Sequence, residues 1–181
     1  MTASRRPWHV LFLCTSNSAR SILAESILNR RGAGKVLAFS AGSRPVGRVH
    51  PMALELLQRL GYPTGGLHSK SWEELAGPDA PALDVVLTVC DRAAGEACPV
   101  WPGHPVTAHG GVEDPAAPEG SPEAQRGLFA EVYATLERRI ERLLALPLGE
   151  LDPPALKRRL EEIGGLGVRA TDPAGSSGPG L

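Results

Sequence analysis

The chain has 181 residues, of which 42% are hydrophobic, enough for one sizeable core with an appendage. A formal net charge of −1 offers nucleic acid or an anionic membrane little to bind by charge, and the arginines fall in local pairs such as Arg30-Arg31 and Arg138-Arg139 rather than along a basic face. Three cysteines cannot close a disulfide framework, which points to a reducing compartment with chemistry at sulfur.

Ser4-Arg5-Arg6 before an apolar run superficially suggests a secretion signal, but the run ends at Cys14 and is too short for one. No segment approaches the roughly 18 apolar residues of a membrane span. A cytoplasmic, monomeric protein with no membrane and no nucleic-acid partner is expected.

Val10-Leu11-Phe12-Leu13 reads as a first strand. Ser21 to Arg31, with Ile22, Leu23, Ile27 and Leu28 on one stripe, reads as the helix that follows. Between them lies Cys14-Thr15-Ser16-Asn17-Ser18-Ala19-Arg20-Ser21. A loop at a strand-to-helix turn presents successive backbone N–H groups and a helix N-terminus, which together favour a tetrahedral oxyanion. Thr15, Ser16, Asn17, Ser18, Ala19, Arg20 and Ser21 are therefore the candidate oxyanion-binding residues, Arg20 adding a planar, bidentate donor. The same field favours thiolate over thiol at Cys14, the candidate nucleophile, and Ser21 can donate its hydroxyl to that sulfur. A buried, inert cysteine beside a surface arginine is the plainer reading. The C-x5-R-S spacing at such a turn, however, combines several constraints at once.

The first helix is expected to close with Arg30-Arg31-Gly32, the glycine taking the left-handed cap. Lys35 to Ser40 reads as a second strand, and Ala41 to Pro45 as the loop beyond it. His50-Pro51 opens a helix, with His50 a surface or capping residue, Ala53, Leu54, Leu57 and Leu60 as the stripe, and Gly61 as the stop. Leu83 to Val89 is a third strand. It delivers Cys90 at its carboxyl end as the first strand delivers Cys14, and in open parallel α/β sheets ligands gather at that rim. Asp91 as N-cap, with Ala93, Ala94, Glu96 and Ala97, predicts a short helix between Cys90 and Cys98. Pro105 to Ala108 is a fourth short strand, followed by a loop holding Glu113-Asp114-Pro115. Ser121 as N-cap and Pro122 at the first position start a long helix whose stripe runs through Leu128, Val132, Leu136, Ile140 and Leu143 or Leu144. Pro153 to Ile163 supports one more helix on Leu156, Leu160 and Ile163, and Ala174 to Gly180 is expected to be disordered. This alternation predicts one doubly wound α/β domain over residues 8–146, with a four-stranded parallel sheet flanked by helices. An N-terminal extension, 1–7, and a C-terminal extension, 147–181, flank it.

Cys90 and Cys98 admit several readings. With His104 they could form part of a zinc site, but C-x7-C is not a usual ligand spacing and no fourth ligand is evident, so no metal is assigned. They could be two unrelated core cysteines. Alongside Cys14, they could instead pass a disulfide along by thiol–disulfide exchange.

The run from Cys14 to Ser21 resembles the phosphate-binding loop of the low-molecular-weight tyrosine phosphatase family, and more closely its arsenate reductase branch, whose loop reads much like Cys-Thr-x-Asn-Ser-x-Arg-Ser. Thr88-Val89-Cys90-Asp91 through Cys98-Pro99-Val100-Trp101-Pro102-Gly103 is similar to the redox segment of that branch, and the resemblance spans most of residues 8 to 146. It implies that Cys14 attacks arsenate, that Asp114 is the general acid, that Cys90 then attacks Cys14 to expel arsenite, and that Cys98 resolves the resulting disulfide. It further implies no bound cofactor, phosphate or sulfate as competing oxyanions, and an external reductant: thioredoxin, glutaredoxin or a low-molecular-weight thiol. A helix between Cys90 and Cys98 would hold their Cα atoms roughly 12 Å apart. A disulfide needs them within about 7 Å, so this segment is expected to unwind on oxidation.

Three departures stand out. Ser16 replaces a glycine common in relatives, Ala19 stands where others carry a second loop cysteine, and Ala116-Ala117 follow Asp114-Pro115 where phosphatases usually place aromatics. A phosphatase acting on small phosphoesters is the second reading, since Cys14, Arg20 and Asp114 would suffice for it. A catalytically idle oxyanion-binding or redox-sensing module is the third.

Overall fold

The computed structural model describes residues 6–96 and 99–166. The elements, in chain order, are β1 (Trp8–Cys14), α1 (Arg20–Gly32), β2 (Val36–Gly42), α2 (Pro51–Arg59), a 3-10 turn (Trp72–Leu75), β3 (Val85–Thr88), α3 (Asp91–Ala94), β4 (Val106–His109), α4 (Pro122–Leu144) and α5 (Pro153–Gly164). The four strands form one parallel sheet, as expected from the sequence, and their order is β2-β1-β3-β4.

β1 is central, and both of its faces are buried. Successive side chains point to opposite faces. Val10, Phe12 and Cys14 join a large core with residues of α1, α2, α4 and α5, while Leu11 and Leu13 join a smaller one with Ala41, Leu75, Leu83, Val86 and Trp101. The smaller core is closed by the 3-10 turn and by Trp101, whose ring meets Trp72 edge-on at 6.3 Å. Burial on both faces explains why β1 reads as an unbroken apolar run rather than an alternating one.

Several boundaries move from their expected places. β2 runs on to Gly42 because Ala41 and Gly42 pair with Leu13 and Cys14. β3 and β4 are four residues each, the second reaching His109. Gly32 stays inside α1, and the left-handed residue is Ala33 (φ 39°), followed by Gly34 (φ 85°). On α4 the buried stripe is Phe129, Val132, Leu136, Arg139, Ile140 and Leu143; Leu128 is only half-buried, since spacings of 3, 4 and 7 counted back from Leu136 select Phe129.

His50 caps α2, its Nδ1 accepting from the Met52 amide at 3.1 Å, and Ser121 caps α4, accepting from Ala124 N at 3.1 Å. α5 is capped by Asp152 and buries Leu156 and Leu160 in the main core, while Lys157 Nζ donates to Thr107 O on the edge strand β4 at 2.6 Å. No helix of the described residues is long and apolar enough to cross a membrane. The expected disorder at Ala174 to Gly180 falls outside the described residues.

Candidate active site

β1 and β3 are neighbours, and the carboxyl end of each carries a buried thiol: Cys14 is 1% exposed and Cys90 2%. Val89 N donates to Leu13 O at 2.8 Å, which carries the pairing one step past β3 and fixes Cys90 on the same rim as Cys14. Both cysteines are unbridged. Cys98 lies outside the described residues.

From Thr15 to Ala19 the chain curls between β1 and α1 against the segment that follows β2. Thr15 O accepts from Arg44 N at 2.9 Å, Ser16 O from Val46 N at 3.1 Å, and Ser18 O from His50 N at 2.9 Å. In a trans peptide the next N–H points opposite to the carbonyl, so the N–H groups of Ser16, Asn17 and Ala19 turn to the inner side of the loop. The Asn17 N–H bears this out by donating to Cys14 Sγ at 3.3 Å. Close approach is needed for this bracing: a Cβ at Gly42 would meet Thr15 O at 2.5 Å. The positive φ of the loop falls on Asn17 (47°), a residue type that tolerates it, and not on Ser16. Serine at position 16 is therefore compatible with the loop.

The fully buried Asn17 side chain determines the direction of the hydrogen bonds around the sulfur. Lys70 N, which can only donate, meets Asn17 Oδ1 at 2.8 Å, so the amide nitrogen faces Ser21 Oγ, also at 2.8 Å. Ser21 accepts that bond, and its own hydrogen is left for Cys14 Sγ, 3.1 Å away. Two donors, Asn17 N–H and Ser21 O–H, thus converge on the sulfur.

Arg20, the first residue of α1, reaches across the rim to the loop after β4. Its Nη1 donates to Val112 O at 3.2 Å and its Nη2 stands 3.8 Å from Asp114 Oδ2. Asp114 Oδ1 accepts from Ala116 N at 2.9 Å, so Asp114-Pro115 is a turn and also places a partly exposed carboxylate beside the loop arginine. Asp114 is thereby brought beside Arg20, at the far end of the loop that Cys14 begins.

The segment after Cys90 differs from expectation. α3 is a single turn, Asp91–Ala94, and its cap is Cys90 rather than Asp91: Ala93 N donates to Cys90 Sγ at 3.4 Å. The turn ends at Gly95, whose low helix propensity stops it short of the expected Ala97. Thr15 Oγ1 lies 3.6 Å from Cys90 Sγ and 3.5 Å from Glu96 Oε1, which links the loop to the second thiol. Asp91 Oδ1 meets His109 Nε2 at 2.8 Å, and His109 Nδ1 meets Thr88 Oγ1 at 2.7 Å.

Two ionisable groups near the loop are perturbed. Burial pushes the Glu25 carboxyl up, against the opposing pull of Lys70, of the Ser40 hydroxyl that donates to it at 2.7 Å, and of His68. Burial likewise pulls His50 down, while Asp114 raises it and Arg48 lowers it further.

The match to the low molecular weight phosphotyrosine protein phosphatase family covers residues 9–160. The chain belongs to this family. Among family relatives, it is 32% identical over 134 residues to the arsenate reductase of Bacillus licheniformis, covering 74% of this chain and 92% of that protein. It is 30% identical over 136 residues to the glutaredoxin arsenate reductase of Synechocystis sp., covering 75% of this chain and 95% of that protein. The solved arsenate reductase from Archaeoglobus fulgidus superposes with a TM-score of 0.59 at 28% identity, over 76% of this chain and 99% of that one.

What holds the 15–19 loop was not legible in the sequence. The Lys70 amide, the 44–50 ladder and the Val112 carbonyl act through the backbone, and side-chain type carries no signal for such roles.

Proposed function

We propose that this chain reduces arsenate to arsenite by a nucleophilic cysteine and a disulfide relay. The observation that carries the reading is the second buried thiol: Cys90 lies just beyond β3, the strand next to β1, with its Sγ 3.6 Å from Thr15 Oγ1 of the oxyanion loop. Hydrolysis of a phosphoester needs no such thiol. The relatives named arsenate reductase support the same choice.

In this scheme the N–H groups of Ser16 and Ala19 and the Arg20 fork hold arsenate over Cys14. The thiolate, stabilised by Ser21 and Asn17 N–H, attacks arsenic, and Asp114 gives a proton to the departing oxygen, which leaves as water. The Cys90 thiolate then attacks Cys14 Sγ. The S–As bond breaks, its electron pair goes to arsenic, and arsenite leaves a Cys14–Cys90 disulfide. Cys98 attacks Cys90 in turn and frees Cys14, and an external thiol reductant, a thioredoxin, a glutaredoxin or a small thiol, reduces Cys90–Cys98. A reducing compartment such as the cytoplasm suits this cycle.

The test sets arsenate turnover with thioredoxin, with glutaredoxin and with a small thiol beside hydrolysis of p-nitrophenyl phosphate on the same preparation. Arsenate turnover that is lost in Cys90→Ser supports the proposal. Ester hydrolysis that persists in Cys90→Ser, with no arsenate turnover in the parent, would leave a phosphatase in its place.

A further inference from the structure

Arg139 lies on the buried stripe of α4, where hydrophobic side chains are expected, and it is only 6% exposed. Each nitrogen of its fork donates to the backbone: Nη1 to Gly110 O at 2.7 Å, Nη2 to Gly111 O at 3.1 Å, and Nε to Leu166 O at 2.7 Å. Burial, and then the neighbouring Arg138, pull its pKa below the ordinary guanidinium range. A buried charge is costly and is tolerated only where its hydrogen bonds are well made, so this side chain strongly constrains the three carbonyls it holds.

Those carbonyls join two distant parts of the chain. Gly110 and Gly111 follow β4 and lead through Val112 to Asp114; Leu166 follows α5. The two parts also touch directly, for a Cβ on Gly164 would meet His109 O at 2.5 Å and Gly110 Cα at 2.7 Å. Gly164 and Leu166 lie beyond residue 160, where the family match ends. The clamped stretch is held from its other sides as well: Gly110 N donates to Thr88 O at 2.9 Å, Val112 N to Val89 O at 3.0 Å, and Arg20 Nη1 reaches Val112 O at 3.2 Å. Three successive carbonyls, 110 to 112, are thus each fixed by a guanidinium, two residues short of Asp114.

We propose that Arg139 and the end of α5 form a brace that positions the Asp114 loop, so that residues 164–166 are coupled to proton delivery at the oxyanion site. Arg139 is a positioning residue: it touches neither the thiols nor the substrate cradle. The inference rests on the reading of Asp114 as the acid in arsenate reduction. Misplacement of a reacting group by about 1 Å costs up to roughly 100-fold in rate, and a lysine at position 139 keeps the charge while losing the fork that reaches Gly110, Gly111 and Leu166 together.

The experiment is a double-mutant cycle on the full chain. Reduced protein is mixed with saturating arsenate without reductant, and the single-turnover rate of arsenite formation is measured for Arg139→Lys and for Gly164→Ala, each alone and combined with Asp114→Asn. Each is expected to slow the reaction by roughly 10- to 100-fold alone, but by less than twofold when Asp114 is already replaced, because both act through the same group. Gly164→Ala carries the test if Arg139→Lys fails to fold, since it pushes on the loop from the opposite side of the contact. A loss that is fully additive with Asp114→Asn, or unchanged rates in folded Arg139→Lys and Gly164→Ala, overturns the brace. An unchanged rate in Asp114→Asn alone overturns the acid assignment, and the brace with it.

Discussion

Ser21→Ala tests the polarity of the hydrogen bonds around the nucleophile. Because Asn17 Nδ2 donates to Ser21 Oγ, the serine hydrogen points at Cys14 Sγ. A hydrogen bond to a charged acceptor contributes about 1.5–3 kcal/mol. At about 1.4 kcal/mol per tenfold, losing this bond to the attacking sulfur should slow alkylation of Cys14 by roughly 10- to 100-fold. The same substitution strands the buried Asn17 amide, which costs stability by about 1–3 kcal/mol. Asn17→Ala has the opposite balance: it strands both Lys70 N and Ser21 Oγ and puts alanine at φ 47°, while leaving the hydroxyl in place. Two broken hydrogen bonds at about 1–3 kcal/mol each, plus about 1–2 kcal/mol for the left-handed backbone, give a loss of roughly 3–8 kcal/mol. The assay is the rate of iodoacetamide alkylation at Cys14 near neutral pH, with Cys90 and Cys98 replaced by serine, together with urea unfolding of each variant. Ser21→Ala should alkylate far more slowly than its parent yet unfold at only moderately lower urea, and Asn17→Ala should lose more stability than Ser21→Ala. Alkylation of Ser21→Ala as fast as the parent would refute the direction assigned to that bond.

Other consequences are simpler to read. Arg20→Lys keeps a charge but loses the planar fork that reaches Val112 O and is proposed to hold the anion, so arsenate turnover should fall by roughly tenfold or more; near wild-type kinetics would count against the cradle. His50 caps α2 as the neutral ring, and burial lowers its pKa. The unfolded chain therefore takes up this proton first as pH falls through the ordinary histidine value of 6.5, and stability should drop from there down to the folded value. His50→Asn, which keeps a cap, should show a smaller drop in thermal melts between pH 8 and pH 5. For Glu25 the sign is reversed: its raised pKa means that the folded state is penalised as pH rises above the ordinary value of 4.5. Glu25→Gln should therefore melt higher than wild type at pH 7 and no higher at pH 4; equal melting at both would show that the carboxyl is not held up by burial.

The parts of this site that could be read from sequence are those in which position and chemistry coincide within one short run. Cys14 to Ser21 carries its spacing, its donors and its place between strand and helix in eight consecutive residues, and Cys90 follows a strongly β-branched strand. The phase of α4 was readable only in part, because Leu128 and Phe129 are both apolar and only packing selects Phe129. Arg139 had no signal at all. Its type predicts exposure, and its burial depends on carbonyls from Gly110, Gly111 and Leu166, far away in sequence. The extent of α3 was overestimated because Ala93, Ala94 and Ala97 favour helix, whereas four residues held by a cysteine cap and ended at Gly95 are what forms.

If Cys14 and Cys90 together supply two electrons to arsenate, a single turnover must consume two thiols. Fully reduced protein, freed of reductant, is given one equivalent of arsenate, and arsenite and remaining thiols are counted. One arsenite per chain and the loss of two of the three thiols, with neither change in Cys14→Ser, is the predicted result. Unchanged arsenate with all three thiols retained would contradict it.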